Sequence, residues 1–179
     1  MRRLAHGLVL HLALTLSAVC AQGVDGDFLV WRDGVSLTWE DFQGQPDAAS
    51  PSYQGAESQM SIALRFSCTN NVPNLGVTAE FDRSKSWARP NMPASLLEHE
   101  QVHFDIAELY ARGTRRAFSQ VPDPCENPSA VEDISDHNNE LSARAQQNYD
   151  EETLHGTLPD RQAAWTRRIR ALLGASSRP

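Results

Sequence analysis

Between residues 82 and 95 the hydrophobic pattern of this chain changes period, and that change limits its fold more than any other feature. Before it, Met60, Ile62, Leu64 and Phe66 alternate with other residues, and Val77, Ala79 and Phe81 do so again. An apolar side chain at every second position lines one face of an extended strand. The polar cluster Thr69 to Asn74 between the runs is a turn signal. The pattern predicts two antiparallel strands over about 56–68 and 75–82, with Phe66 and Phe81 facing a core. Past Pro93 the spacing becomes helical. Ser95-Leu96-Leu97-Glu98 has the form of a capping box, with Ser95 as N-cap, and predicts a helix to about Phe118, bent at Gly113. Leu97, Val102, Phe104, Ile106 and Leu109 spread around most of its circumference, which predicts a buried helix.

Two more helices are expected, over about 130–149 with Ile134, Leu141 and Ala145 as its stripe, and over about 160–173 with Trp165, Ile169, Leu172 and Leu173. Strands followed by helices define an α+β class: an antiparallel sheet packed on a long helix, with two further C-terminal helices. Ser36 to Trp39 reads as a short strand, Asp41 to Gly44 as a turn, and the stretch from Tyr149-Asp150 to Pro159 as a non-helical connection.

The first residues read as something other than the fold. Arg2 and Arg3 precede an apolar run from Leu8 to Val19, and small residues follow around Ala21. The run is short of the roughly 20 residues that span a bilayer. It has the form of a secretory signal peptide over 1–21, giving a secreted or periplasmic protein. A lipoprotein reading on Cys20 comes second, because Val19 stands where such sites prefer a smaller residue. One domain is then expected over 22–173, with 174–179 as a disordered tail. In an oxidising compartment Cys68 and Cys125 allow a single pairing and are expected to be bridged.

The chain has 16 Lys and Arg against 23 Asp and Glu, a net charge of −7, and Lys85 is its one lysine. That balance supplies no basic footprint for nucleic acid or an anionic membrane.

Residues 99–103 read His-Glu-Gln-Val-His, the H-E-x-x-H pattern of metalloproteases, on a predicted helix. Composition alone would give about 0.01 such matches in this chain, so chance is a poor account of it. Four residues of helix separate His99 and His103 by only ~40°, so both imidazoles reach one ion. Glu100 lies ~100° from His99, at the flank of that face, where it can act on a metal-bound water as general base. Zinc is the expected cofactor.

The third ligand must come from outside the helix. Glu108 lies ~180° round from His99 and Asp105 ~240°, so both read as supporting or solvent-facing groups. His155, in the non-helical link before Gly156, is the first choice: a glycine lets the backbone turn and approach the site. His137, or a carboxylate such as Glu108 or Glu152, is the alternative. Tyr149 is then the phenol placed to hydrogen-bond an oxyanion.

The run from Leu96 to Glu108 resembles a bacterial family of predicted secreted zinc-dependent proteases, an HExxH domain of unknown function. Leu37-Thr38-Trp39-Glu40-Asp41-Phe42-Gln43-Gly44 and the segment from Tyr149 to Gly156, with Gln162 and Trp165, are similar to it as well. The resemblance implies a zincin-like domain over nearly the whole mature chain. The expected function is a secreted zinc peptidase acting on peptide or protein substrates. The alternatives are a binding or regulatory module on the same scaffold and a zinc amidase acting on cell-wall peptides.

Overall fold

The computed structural model describes residues 26–46 and 48–176. The expected signal peptide, Cys20 and residues 177–179 lie outside them.

The central element is α1, Ala94–Phe118, a single continuous helix. On one side lies a three-stranded antiparallel sheet of β1 (Phe28–Val30), β4 (Val72–Asp82) and β3 (Met60–Thr69), in that order. A separate two-stranded pair joins β2 (Ala56–Glu57) to β5 (Trp87–Ala88). On the other side of α1 pack α2 (Pro128–Thr153) and α3 (Pro159–Ser176). The α+β class with an antiparallel sheet against the long helix is therefore observed.

Two apolar clusters explain why α1 is buried on more than one side. Val77, Ala79 and Phe81 of β4 meet Phe104, Ala107 and Ala111. Val102 and Ile106 meet Tyr149 of α2 and Ile169 and Leu173 of α3. Phe81, Phe104 and Ile106 are completely inaccessible. Truncating one such aromatic residue typically costs about 3–5 kcal/mol.

The β3–β4 hairpin turns on Asn70 and Asn71, both left-handed, with φ of 51° and 61°. A two-residue hairpin loop of this hand matches the twist of its strands, and asparagine tolerates it well. Phe81 is buried; Phe66 is half-buried and packs edge-on against Phe118.

Several expectations are corrected. The long first strand breaks between Glu57 and Met60, which leaves Ser58 and Gln59 outside the ladder. Ser36 to Trp39 is not a strand. Leu37 donates its backbone N–H to the Gln101 side chain, and Thr38 opens a short 3-10 turn over Trp39–Asp41. The capping box does not form. The helix begins two residues earlier, with Pro93 as N-cap and no side-chain cap. Proline already supplies the extended backbone there, and its carbonyl accepts from Leu96 and Leu97. Gly113 does not interrupt α1; a Cβ there would stand 3.2 Å from the Asn138 side chain, so the glycine serves close helix packing. The second helix runs four residues beyond its expected end, through Asp150 to Thr153. Gly174 to Ser176, expected in the tail, form the last turn of α3.

Cys68, near the end of β3, is joined to Cys125 in the loop before α2, with Cα atoms 5.9 Å apart. The bridge holds the start of α2 to the sheet, and it is compatible with an extracytoplasmic protein. Among the described residues no helix is long and apolar enough to cross a membrane.

Candidate metal centre

His99 and His103 lie one turn apart on α1 and are both buried, at 2% and 8% exposure. Their Nε2 atoms are 3.1 Å apart. Asp150, in the last turn of α2, brings its Oδ1 to 3.0 Å from His99 Nε2 and 2.9 Å from His103 Nε2. The three atoms form a nearly equilateral triangle. This group could hold a metal ion.

The tautomer of His103 follows from its neighbour. Gln146, one helical turn before Asp150, donates its amide Nε2 to the His103 carbonyl at 3.0 Å. Its oxygen must therefore face the ring, where it meets His103 Nδ1. A carbonyl oxygen only accepts, so Nδ1 carries the proton and the neutral ring points a bare Nε2 lone pair at Asp150. A carboxylate and an imidazole lone pair do not attract each other. Something positive between them, a proton or a cation, is what the arrangement requires.

The electrostatics agree. Burial pushes the Asp150 carboxyl up, but hydrogen bonds from His103 and His99 outweigh it and hold the carboxyl well below the usual range. Burial would lower His103, yet the hydrogen bond to Asp150, the charge of Glu100 and the Gln146 bond leave it above an ordinary histidine.

Glu100 is 5% exposed, and Ser58, freed by the strand break, donates its hydroxyl to Glu100 Oε2. Both line a groove of about 1210 Å³ whose floor includes His99, His103 and Asp150. Met92, Leu96 and Leu154 supply apolar parts of its wall, and Tyr53, 89% exposed, stands at its rim.

His155 lies beside the group of His99, His103 and Asp150 and not within it. The chain leaves α2 through Leu154, His155 and Gly156, all left-handed at φ of 47°, 51° and 78°. The His155 side chain is 80% exposed and lines the groove, with Nδ1 3.5 Å from Asp150 Oδ1. The structure brings Asp150 to the histidine pair instead. His137 is exposed on α2. Glu152 is exposed and accepts from Trp165 Nε1 at 2.8 Å.

Tyr149 is also displaced from its expected role. Its ring is fully buried, stacked on His99 at 4.6 Å between centroids and edge-on to His103 at 4.9 Å. Its hydroxyl faces the His99 carbonyl at 3.5 Å. Burial, then the charges of Glu100 and Asp150, push the phenol far above its ordinary pKa. It is a floor beneath the two imidazoles, not a donor at the groove.

Asp105 and Glu108 are buried rather than solvent-facing. Asp105 accepts from Trp31 Nε1 and from Gln101 Nε2, both at 2.9 Å. Glu108 pairs with Arg112 at 2.8 Å and Arg115 at 2.6 Å.

Asp150 escapes a reading of the sequence that ends the second helix at Tyr149, and Gln146, inside that helix, is missed with it. The available signal is their spacing: four residues apart on one helix, they share a face and reach the same target.

Fold and site together define an α+β protein with a buried histidine–histidine–carboxylate cluster on the floor of an open groove. The chain belongs to the DUF922 family, described as a bacterial protein of unknown function, whose pattern matches residues 37–156. The match takes in all three clustered residues and Glu100, and it stops before α3. No curated protein and no solved structure matches the chain.

Proposed function

We propose that this protein is an exported zinc peptidase in which His99, His103 and Asp150 hold the ion and Glu100 is the general base. The observation that carries the reading is the convergence of three acceptor atoms, 2.9–3.1 Å apart, beside a buried glutamate in an open groove. Tetrahedral zinc bonds nitrogen and oxygen at about 2.0–2.2 Å, which sets neighbouring ligand atoms ~3.3 Å apart. The triangle needs to open by only a few tenths of an ångström. Two imidazoles and one carboxylate also leave a fourth position for water or substrate, as catalytic zinc sites do.

When bound, zinc would supply a Lewis acid that polarises a carbonyl and acidifies water. The remaining work falls to this chain. Glu100 accepts a proton from the attacking water and returns it to the departing amine. Ser58 fixes which Glu100 oxygen faces the groove. Gln146 fixes the His103 ring with Nε2 inward. Tyr149 packs the imidazoles from beneath and keeps water out of that side.

The test is metal analysis of the purified mature protein and its Glu100→Gln form, followed by digestion of a mixed peptide library read by mass spectrometry. Both proteins are expected to bind one zinc per chain. Cleavage by the variant is expected to fall by about 10²–10⁴-fold. Equal cleavage by both would overturn the assignment of Glu100, and zinc-loaded wild type that cleaves nothing would overturn the peptidase reading.

A further inference from the structure

Among the described residues two buried side-chain polar atoms have no hydrogen-bond partner: His99 Nδ1 and Gln162 Oε1. Buried polar atoms are normally paired, because leaving one unmet costs about 1–3 kcal/mol. These two belong to the same corner of the molecule. A Cβ built on Gly156 would stand 2.9 Å from Gln162 Oε1 and 2.9 Å from His99 Cγ, the ring atom bonded to Nδ1. Both groups therefore border the space beside the Gly156 α-carbon, close to each other but not hydrogen-bonded. Both residues are well enclosed, His99 at 2% exposure and Gln162 at 5%.

The chemistry of the two atoms is complementary. An imidazole that binds a metal through Nε2 carries its proton on Nδ1, and Nδ1–H needs an acceptor. Gln162 Nε2 donates to the Ser95 carbonyl at 2.9 Å, which fixes the amide so that its oxygen is the free end. His103 already has the equivalent partner, the oxygen of Gln146. The two histidines would then be held alike, each by a glutamine from a different C-terminal helix.

We infer that Gln162 Oε1, unpaired here, becomes the acceptor for His99 Nδ1–H when a metal is held at Nε2, and that Gln162 so acts as a positioning residue that sets the tautomer and orientation of His99. The inference rests on the reading of His99 as a ligand through Nε2. It gives α3, which the family match does not reach, a part in the site. Gly156 is the element that permits it, since any side chain there would wedge the pair apart.

The test compares Gln162→Leu and Gln162→Glu in the full mature chain, by competition for zinc against a chromophoric chelator. Both variants lose the donor to the Ser95 carbonyl, and only the glutamate keeps an acceptor. Gln162→Leu is expected to weaken zinc binding by about 10–100-fold, and Gln162→Glu to stay close to wild type. Equal weakening in both would mean that Gln162 matters only through Ser95, and would overturn the inference, as would no change in either. A second readout needs no variant. In the side-chain 15N spectrum of zinc-loaded wild type, His99 is expected to show a protonated Nδ1 in slow exchange with water. Ligation through Nδ1, or a freely exchanging Nδ1 proton, would overturn it. Wild type that binds no zinc at all would instead break the proposed function on which the inference rests.

Discussion

Two carboxylates face α1 or sit on it, Glu108 buried and Asp150 half-buried, and the donors around them differ. Glu108 lies between the guanidinium groups of Arg112 and Arg115, which are always charged and always donors. Its charge is answered within the chain. Asp150 lies against two imidazole Nε2 atoms, and the tautomer that Gln146 imposes on His103 turns a lone pair toward it. Its charge is answered by an imidazole that carries a proton on Nε2, or by a cation in that proton's place. The lesson is that a buried acid is read by the donors its partners can offer, more than by its own burial. One arrangement is complete within the fold and the other could hold an ion.

Replacing one member of each cluster should separate the two roles. His103→Ala is expected to lower zinc affinity by on the order of 10³-fold, because a proposed ligand is lost outright, and to cost the metal-free protein a smaller amount for the buried ring it removes. Chelator competition and chemical unfolding on the same sample check both halves. A large loss of metal-free stability would blur the distinction.

The bridge between Cys68 and Cys125 spans a sequence separation of 57 residues. It contributes about 4 kcal/mol on the chain-entropy model. The double serine variant is expected to lose about that much in urea unfolding, and some zinc affinity with it, since the bridge anchors the helix that carries Asp150. Unchanged stability would mean that the bridge holds nothing that packing does not already hold.

Glu108→Gln is expected to do the converse of His103→Ala. It removes the charge that Arg112 and Arg115 share, while Arg112 keeps the Leu173 carbonyl and the Ser176 hydroxyl, and should cost about 1–3 kcal/mol of folding stability. Arg115 is 38% exposed and keeps some water, which holds the figure below that of a fully buried pair. Zinc affinity should hold. If Glu108→Gln abolished zinc binding without affecting stability, the comparison would be inverted.

The smallest effect is that of pH on loading. In the metal-free protein His103 holds its proton above the ordinary histidine value of 6.5. Its contribution to metal-free stability is therefore full below 6.5 and is lost as pH rises through the raised value. Zinc must displace that proton. Apparent affinity should rise by about tenfold per pH unit across that window and flatten above it. Titration calorimetry in buffers of different ionisation enthalpy checks the proton count directly.

Much of this arrangement was legible in the sequence. The alternation from Met60 and from Leu75 gave the hairpin, and the H-E-x-x-H spacing placed His99 and His103 together with Glu100 at their flank. The carboxylate that joins the two histidines was not legible, for a definite reason. Asp150 lies beyond the last apolar residue of the α2 stripe, where periodicity goes silent, so a helix that continues four residues further cannot be told from a loop. His155 is conspicuous as a histidine before a glycine, and it lines the groove 3.5 Å from Asp150 Oδ1, outside the triangle of clustered atoms. The Ser58 contact was hidden in the same way, because a strand break of two residues leaves no mark on an alternating pattern.

The most direct test of the account is zinc content per chain for wild type, Asp150→Ala and His155→Ala, measured by plasma mass spectrometry after dialysis against a weak chelator. The account expects one zinc in wild type, close to none in Asp150→Ala, and one in His155→Ala. Zinc kept by Asp150→Ala and lost by His155→Ala would contradict it.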